Sequence, residues 1–196
     1  MSEAGRFAVG ADGWVDGARR EPSPNFEARP DGAAISLVVI HNISLPPGEF
    51  GGDAIVALFQ NRLDCDAHPY YAAHLRGVRV SAHFLVRRDG ALIQFVSCDA
   101  RAWHAGASSF FGRERCNDFS IGIELEGRGR RRVRRAAIRD ARRARTRACA
   151  RYPIDAFAGH EHVAPGRKTD PGPHFDWQRF ADDGGFPPRY FPYRKH

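Results

Sequence analysis

The hexapeptide SLVVIH at residues 36–41 is the strongest structural signal in this chain. Its β-branched, apolar run is short enough for a strand and is apolar on both faces, as in a central strand covered by two layers. His41 stands at the carboxyl end of this run. The hexapeptide therefore predicts a layered domain with a central sheet, and it places an imidazole where a strand ends.

Segments on either side of the hexapeptide predict further strands and helices. The dipeptide Asp89-Gly90 between two strand-like runs is a strong hairpin signal, so the sheet gains two antiparallel strands. The predicted strands are 80–87, 91–96, 119–126 and the weaker 154–159. The predicted helices are 54–61, which Asp53 can cap, 131–150, whose apolar stripe is mostly alanine, and 175–180.

These elements predict a single domain of the mixed α/β class. We expect a central mixed sheet of about five or six strands flanked by helices. The domain is expected over residues 35–180, with an N-terminal arm at 1–34 and a C-terminal tail at 181–196.

The composition fits one domain in a reducing compartment. The chain has 196 residues, of which 42% are hydrophobic, and this is enough apolar surface for one core. The first residues lack the apolar run of a signal peptide, and no stretch offers the roughly 20 apolar residues of a membrane span. The four cysteines form no C-x-x-C pair, which favours free thiols, although their even number leaves a disulfide arrangement open. We therefore expect a cytoplasmic protein with no membrane partner.

The segment 128–147 holds most of the positive charge. It contains eleven arginines and one acid, Asp140, so it contributes ten positive charges to a chain whose net charge is +7. The rest of the chain therefore carries a net charge of −3. Three interpretations stay open for this segment: a solvated helix face, a patch for nucleic acid or another anionic surface, and a local reading-frame error that replaced a native helix.

Three residues at or near predicted strand ends carry side chains that zinc prefers. His41 and His160 each follow a predicted strand, and Asp170 lies in a proline-rich loop. A catalytic zinc has three nitrogen or oxygen ligands and a fourth position open for water, so these residues suffice in number. They are far apart in sequence and form no H-E-x-x-H pattern. From spacing alone, a structural role for His41 and a turn-forming role for Asp170 also stay open.

Four longer segments carry a more specific signal. They are VIHNISLPPGEFGG at 39–52, RAWHAG at 101–106, GRERCNDFSIGIELEG at 112–127 and RKTDPGP at 167–173. They closely resemble the N-acetylmuramoyl-L-alanine amidase family, and in particular its cytoplasmic branch, which cleaves 1,6-anhydro-N-acetylmuramoyl peptides in cell-wall recycling. The resemblance runs from about Trp14 to Phe180.

This resemblance implies a zinc site and a catalytic pair. It assigns His41, His160 and Asp170 as zinc ligands at one edge of the sheet. It further assigns Glu124 as catalytic base and places Lys168 beside the metal. A carboxylate among apolar neighbours suits a proton carrier, and a lysine supplies charge for a developing oxyanion. Taken by itself, Glu124 could instead be the solvent-facing member of an edge strand.

The resemblance also implies a substrate groove lined by Asn42, Trp103 and Arg115. Trp103 offers a flat face for a sugar ring or a peptide. Arg115 offers a bidentate partner for a carboxylate on the stem peptide.

Three further histidines are considered as alternatives to these ligands. His162 is the main rival, because it lies two residues after His160. His83 and His104 are predicted to be structural residues or outer hydrogen-bond partners of the ligands.

The resemblance implies a zinc-dependent hydrolase. Its expected substrate is a muropeptide, cleaved between (1,6-anhydro-)N-acetylmuramic acid and L-alanine, and we expect a monomer with no nucleic-acid partner. Two alternatives within the family are an exported or phage-type wall amidase and a module that binds peptidoglycan without cleaving it. A third is nucleic-acid binding through residues 130–147, which predicts strong salt dependence and no need for zinc.

Overall fold

The computed structural model of the chain describes residues 8–127, 151–182 and 185–193. Its strands are β1 (Arg19–Arg20), β2 (Phe26–Ala28), β3 (Leu37–Ile43), β4 (Phe84–Val86), β5 (Leu92–Gln94), β6 (Ala100–Ala102), β7 (Ser109–Phe110), β8 (Arg113–Glu114), β9 (Ser120–Glu126) and β10 (Ala156–Gly159). Its helices are α1 (Ala54–Phe59), α2 (Pro69–His74), α3 (His160–Val163) and α4 (Trp177–Asp182), and 3₁₀ turns lie at Cys116–Asp118 and Pro188–Tyr190. The predicted helix at 131–150 lies outside the described residues, so the interpretations of the arginine-rich segment stay open.

Six strands form one mixed sheet in the order β1-β5-β4-β9-β3-β10. β4, β9, β3 and β10 pair in parallel, whereas β5 pairs antiparallel with β4. The prediction of a mixed α/β sheet is therefore confirmed. β3 lies between β9 and β10 and its residues 37–41 are buried, as the two-faced apolar pattern predicts. The edge-strand interpretation of Glu124 is wrong, because β9 lies between β4 and β3.

The predicted hairpin and short helices are present with adjusted ends. In the β4–β5 hairpin, the backbone N–H of Arg87 donates to the carbonyl of Ala91 at 2.9 Å. Asp53 is the N-cap residue of α1, as predicted, but its carboxylate makes no cap hydrogen bond and lies 3.9 Å from the Arg87 guanidinium. Helix α4 begins at Trp177, because Phe175 instead closes a turn through its N–H to the carbonyl of Gly172 at 3.0 Å.

Five short strands lie outside the predicted set, and two of them, β1 and β2, come from the N-terminal arm. β1 pairs with β5 at the edge of the main sheet, and β2 pairs with β6 in a separate ribbon. The residues of β1 and β2 are exposed, so their sequences lack the apolar alternation that marks a half-buried strand. Val15 in the arm and Phe191 in the tail are nevertheless buried in the core. Segments on both sides of residues 35–180 thus complete the packing.

The two faces of the sheet differ in polarity. Side chains alternate along β9, so Ile123 points to one face while Gly122 and Glu124 point to the other. The first face is mainly apolar and packs against Phe180 of α4 and the C-terminal aromatic residues, with the buried amide of Gln94 accepting from the N–H of Val15. Burying a side chain such as Ile123 there contributes about 1.5–3 kcal/mol. The second face carries two apolar clusters, one around Leu85 and one around Val39, with polar side chains between them.

Two further features of the structure are the state of its cysteines and the character of its helices. Cys65, Cys98 and Cys116 are free thiols, while Cys149 lies outside the described residues. Burial raises the pKa of Cys98 to about 12, so this thiol is inert as a nucleophile. Among the helices of the described ranges, none has the length and apolar character that crossing a bilayer requires.

Candidate metal centre

Strand register brings the two predicted ligand histidines together. In the parallel pair of β10 with β3, Gly159 lies opposite Ile40. The next residue of each strand path is then a histidine, His160 at the start of α3 and His41 within β3. The loop that carries Asp170 is tied to the same place, because the N–H of Glu161 donates to the carbonyl of Asp170 at 2.8 Å. Three segments distant in sequence therefore meet where parallel strands end.

The donor atoms of His41, His160 and Asp170 converge on one point. The two Nδ1 atoms of the histidines are 2.9 Å apart. The Oδ2 atom of Asp170 lies 3.2 Å from Nδ1 of His41 and 3.1 Å from Nδ1 of His160. Both imidazoles are buried, and the carboxylate is partly exposed. Within the described ranges, these are the residues that come together as a possible metal site.

The spacing and the outer hydrogen bonds of this cluster fit a zinc ion. Ligands held at 2.0–2.1 Å in a tetrahedron lie about 3.3 Å from one another, a few tenths of an ångström more than the observed separations. Nε2 of His160 lies 3.2 Å from the carbonyl oxygen of Ala105, which can only accept. In the neutral imidazole, Nε2 therefore carries the proton and Nδ1 presents a lone pair to the cluster. Two such nitrogens and a carboxylate oxygen need a cation between them.

Burial and charge hold these groups in the protonation state that metal binding requires. Burial lowers the pKa of His41 to about 4, although the adjacent Asp170 carboxylate opposes the shift. Burial raises the pKa of Asp170, but the adjoining imidazoles of His160 and His41 outweigh it and hold the pKa well below its usual range. At neutral pH the cluster thus contains a neutral His41 and an ionised Asp170.

Glu124 lies beside the cluster and has an unusual environment. It is the register partner of His41 in the parallel pair of β3 with β9, so both side chains point to the same face. Its Oε2 atom is buried and has no hydrogen-bond partner among the described residues. Burial raises the pKa of Glu124 well above its usual value, the charge of Asp170 raises it further, and Lys168 opposes the shift. A raised pKa suits a carboxyl group that first accepts and then donates a proton.

Two of the three predicted groove residues, Trp103 and Arg115, line two neighbouring cavities. Lys168 and Trp103 line a cavity of about 380 Å³, and the Nε1 atom of Trp103 is buried with no partner in the described part of the chain. Arg115 lines a second cavity of about 530 Å³, and its Nε atom lies 3.0 Å from Oδ2 of Asp118. Arg167 lines both cavities. The amide of Asn42 is turned to the loop instead, and its Nδ2 atom donates to the carbonyl of Pro171 at 2.7 Å.

Two residues near the cluster have roles that the sequence left open or missed. His162 faces away from the ligands: its Nδ1 atom accepts from the N–H of Gly159 at 2.9 Å, and its ring stacks on Tyr193. Arg167 was not predicted, yet its Nη2 atom donates to the carbonyl oxygens of Ala105 at 2.5 Å and Ala107 at 2.6 Å. Its place in the motif at 167–173 was the available signal.

Gly122 leaves the space in which the ring of His104 lies. A Cβ atom at this position would stand 2.5 Å from Cγ of His104. We expect Gly122→Ala to lower the free energy of unfolding by about 1–3 kcal/mol, because a buried ring must move to accept the methyl group. Denaturant unfolding measures the effect. Gly52→Ala is the matched control, since a Cβ there meets nothing within 4 Å; equal losses in the two variants would contradict the steric account.

Comparison with known proteins places this fold and site in a family. The mixed sheet and the His-His-Asp cluster beside a half-buried glutamate are accompanied by a match to the family model described as N-acetylmuramoyl-L-alanine amidase, over residues 31–173. The chain belongs to this family. The prediction made from the four sequence segments is therefore confirmed.

The chain is similar to individual amidases of known sequence and structure. The chain is 56% identical over 173 residues to the 1,6-anhydro-N-acetylmuramyl-L-alanine amidase AmpD of Citrobacter freundii, covering 86% of this chain and 91% of that protein. It is similar to the crystal structure of a selenomethionine derivative of AmpD, with a TM-score of 0.85 and 54% identity over 88% of this chain and 97% of that one. It is also similar to Escherichia coli AmiD in complex with the substrate anhydro-N-acetylmuramic acid-L-Ala-D-γ-Glu-L-Lys, with a TM-score of 0.57 and 31% identity over 80% and 60% of the two chains.

Proposed function

We propose that this chain is a zinc-dependent amidase that hydrolyses the bond between 1,6-anhydro-N-acetylmuramic acid and L-alanine in peptidoglycan fragments. The observation that carries the proposal is the convergence of two imidazole Nδ1 atoms and a carboxylate oxygen beside Glu124, whose Oε2 atom is buried and has no partner among the described residues. Family membership and the activity named for AmpD support the same reaction. The function is accordingly a step in the recycling of cell-wall peptides.

His41, His160 and Asp170 are the residues that would hold the metal. When bound at such a site, zinc acts as a Lewis acid and lowers the pKa of water to about 7. The chain would contribute two imidazole nitrogens and one carboxylate oxygen to it. The outer nitrogen of each imidazole has its own hydrogen-bond partner, which keeps both rings oriented.

Glu124 and Lys168 carry the proton and charge steps of the proposed reaction. Glu124 accepts the proton of the attacking water and later gives it to the amine of the leaving L-alanine. Its raised pKa suits both halves of this task, because the same group must accept and then donate. Lys168 places a positive charge near the oxyanion that forms on the carbonyl. Its effect on the pKa of Glu124 indicates that the two side chains share one electrostatic environment.

The two cavities suggest how the substrate lies. The cavity with Trp103 and Lys168 also includes His104, so it opens beside the metal cluster and suits the sugar and the scissile bond. The cavity with Arg115 lies on the other side of Arg167 and suits a carboxylate of the stem peptide. Asn42 contributes mainly by fixing the Pro171 carbonyl, and with it the Asp170 loop. AmiD, a relative of the same class, binds an anhydromuramoyl peptide of this kind.

We further propose a cytoplasmic monomer without a nucleic-acid or membrane partner. A cytoplasmic site fits the three free thiols among the described cysteines. The alternative of a peptidoglycan-binding module without activity is disfavoured, because the three donors, Glu124 and Lys168 are all retained. The nucleic-acid alternative depends on the arginine-rich segment, which lies outside the described residues.

The experiment that tests this function combines metal content with substrate choice. Purified protein should carry about one zinc per chain, as three ligands with one open position imply. It should release L-alanyl peptide from anhydromuramoyl-tripeptide faster than from the ordinary muramoyl-tripeptide. Mass spectrometry of the products and metal analysis measure the two quantities. Binding of both substrates without release of peptide would favour the non-catalytic module and refute the proposal.

A further inference from the structure

One chain of hydrogen bonds runs from a ligand histidine into the core. Nε2 of His41 lies 3.0 Å from Nδ1 of His104. Nε2 of His104 lies 3.2 Å from Oγ of Ser120, which in turn lies 2.6 Å from the carbonyl oxygen of Cys116. This series of hydrogen bonds therefore joins four groups, and it ends on a backbone carbonyl oxygen that can only accept a hydrogen bond.

The position of every proton follows from that carbonyl. Because the Cys116 carbonyl only accepts, Ser120 must donate its single hydroxyl proton to it. Ser120 then accepts from Nε2 of His104, so the proton of the neutral His104 ring is on Nε2 and its Nδ1 is an acceptor. His41 must accordingly donate from Nε2. Its Nδ1 is left as a lone pair that faces His160 and Asp170.

We propose that His104 is a positioning residue, which holds His41 in the tautomer and ring orientation that present Nδ1 to the metal, and that Ser120 fixes His104 in turn. This inference rests on the proposed zinc site, and it assigns a role to His104, which is not itself a ligand. His104 lines the neighbouring cavity, but its ring contacts the ligand set at Nε2 of His41, on the side of that ring away from the converging donors, so its effect on the metal is through His41.

The surrounding structure is built to hold this arrangement. The side chain of Asn117 accepts from the N–H groups of His104 at 3.3 Å and Ala105 at 2.8 Å, and so fixes this dipeptide. The same dipeptide supports both ligand histidines, because the ring of His104 contacts His41 and the carbonyl of Ala105 contacts His160. The rings of His41 and His104 meet edge to face, with centroids 5.1 Å apart. Rotation of the His104 ring would break two hydrogen bonds, and rotation of the His41 ring would break the one that it shares with His104.

A side chain, unlike a backbone carbonyl, can be removed by substitution, so the inference is open to a direct test. The variants are His104→Leu, which removes the acceptor for His41, and His104→Asn, which keeps an acceptor oxygen near the place of Nδ1. The matched control is His83→Leu, the same change at a buried histidine whose nitrogens contact the Gly122 N–H and the Ala100 carbonyl instead. Ser120→Ala removes the hydroxyl that accepts from His104, and it leaves both histidines in the sequence.

Two readouts that do not depend on turnover measure the effect. Zinc affinity is measured by competition with a chelator, and the visible spectrum of the Co²⁺-substituted protein reports the ligand geometry. We expect His104→Leu to weaken zinc binding by about 10- to 100-fold and to shift the Co²⁺ bands. His104→Asn should recover most of the affinity, Ser120→Ala should lose part of it, and His83→Leu should lose stability with affinity near the wild-type value.

The outcomes separate this inference from the proposed function. Equal zinc affinity in His104→Leu and His83→Leu, with wild-type protein active, would overturn the role of His104 and leave the amidase assignment in place. If His104→Leu does not fold, Ser120→Ala decides: unchanged affinity and spectrum overturn the inference. A wild-type chain that binds neither zinc nor Co²⁺ would overturn both proposals.

Discussion

Replacement of Glu124 by glutamine is expected to lower kcat by about 10²- to 10⁴-fold while the zinc content stays at the wild-type level. The amide has nearly the volume of the carboxyl group, so the buried position stays filled. It has no basic oxygen with which to take a proton from water, however. The loss should therefore appear in kcat with little change in KM, because the substrate contacts proposed for Trp103 and Arg115 are untouched.

The pH profile of this variant gives a second, independent readout. The base works only when ionised, so activity of the wild type should fall as pH drops through the pKa of Glu124. Burial raises that pKa, so the acidic limb should lie above the value of about 4.3 for an ordinary glutamate. Glu124→Gln should lack this limb. A variant with wild-type turnover would remove Glu124 from the mechanism.

A nearby carboxylate supplies the control. Glu126 lies two residues further along β9, and its Oε1 atom is 2.8 Å from Nη1 of Arg87 in a buried ion pair. Glu126→Gln weakens this pair and should lower stability, whereas the proton acceptor of the reaction remains. Assayed well below its unfolding temperature, it should keep kcat within a few-fold of wild type. The two variants thus separate a chemical loss from a structural one on the same strand.

The parts of the fold that the sequence predicted are those with a strong apolar pattern. The buried strands β3 and β9 and the β4–β5 hairpin carry such patterns, since each contributes to an apolar layer. β1 and β2 escaped prediction because they are short, exposed and held by pairing with residues far along the chain. Helix α2 was missed because only one of its residues, Tyr71, is buried, so no apolar stripe marks it.

The candidate site could be predicted by resemblance but not by periodicity. His41 and His160 are 119 residues apart, and only the register of two parallel strands makes them neighbours. No local pattern encodes a register between distant strands. The sequence also could not show that His162 faces away from the ligands. Its orientation depends on the turn at Gly159, whose N–H donates to Nδ1 of His162. The sequence left open whether His83 or His104 is an outer partner of a ligand. Only the side-chain positions show that Nδ1 of His104 contacts Nε2 of His41.

Replacement of Asp170 by alanine is expected to abolish zinc retention and, with it, detectable hydrolysis. The variant removes the one anionic ligand, so the remaining site consists of two imidazoles whose Nδ1 atoms face each other at 2.9 Å. The loss of zinc affinity should exceed the 10- to 100-fold typical of an outer partner. Wild-type protein stripped by a chelator should match the variant and should recover on addition of zinc, whereas Asp170→Ala should not. The control is Asp155→Ala, an exposed aspartate just before β10.

Thermal unfolding with and without zinc gives this prediction a measure that needs no substrate. A ligand that binds only the folded chain stabilises it by about 2.7 kcal/mol when its free concentration is 100 times the Kd. Wild type and Asp155→Ala should therefore unfold at a higher temperature when zinc is added, and Asp170→Ala should show no such shift. One zinc per chain and a wild-type thermal shift in Asp170→Ala would exclude Asp170 as a ligand. If Asp170→Ala keeps the thermal shift and a His162 variant loses it, His162 would be the ligand in place of Asp170. In the structure the ring of His162 stacks on Tyr193.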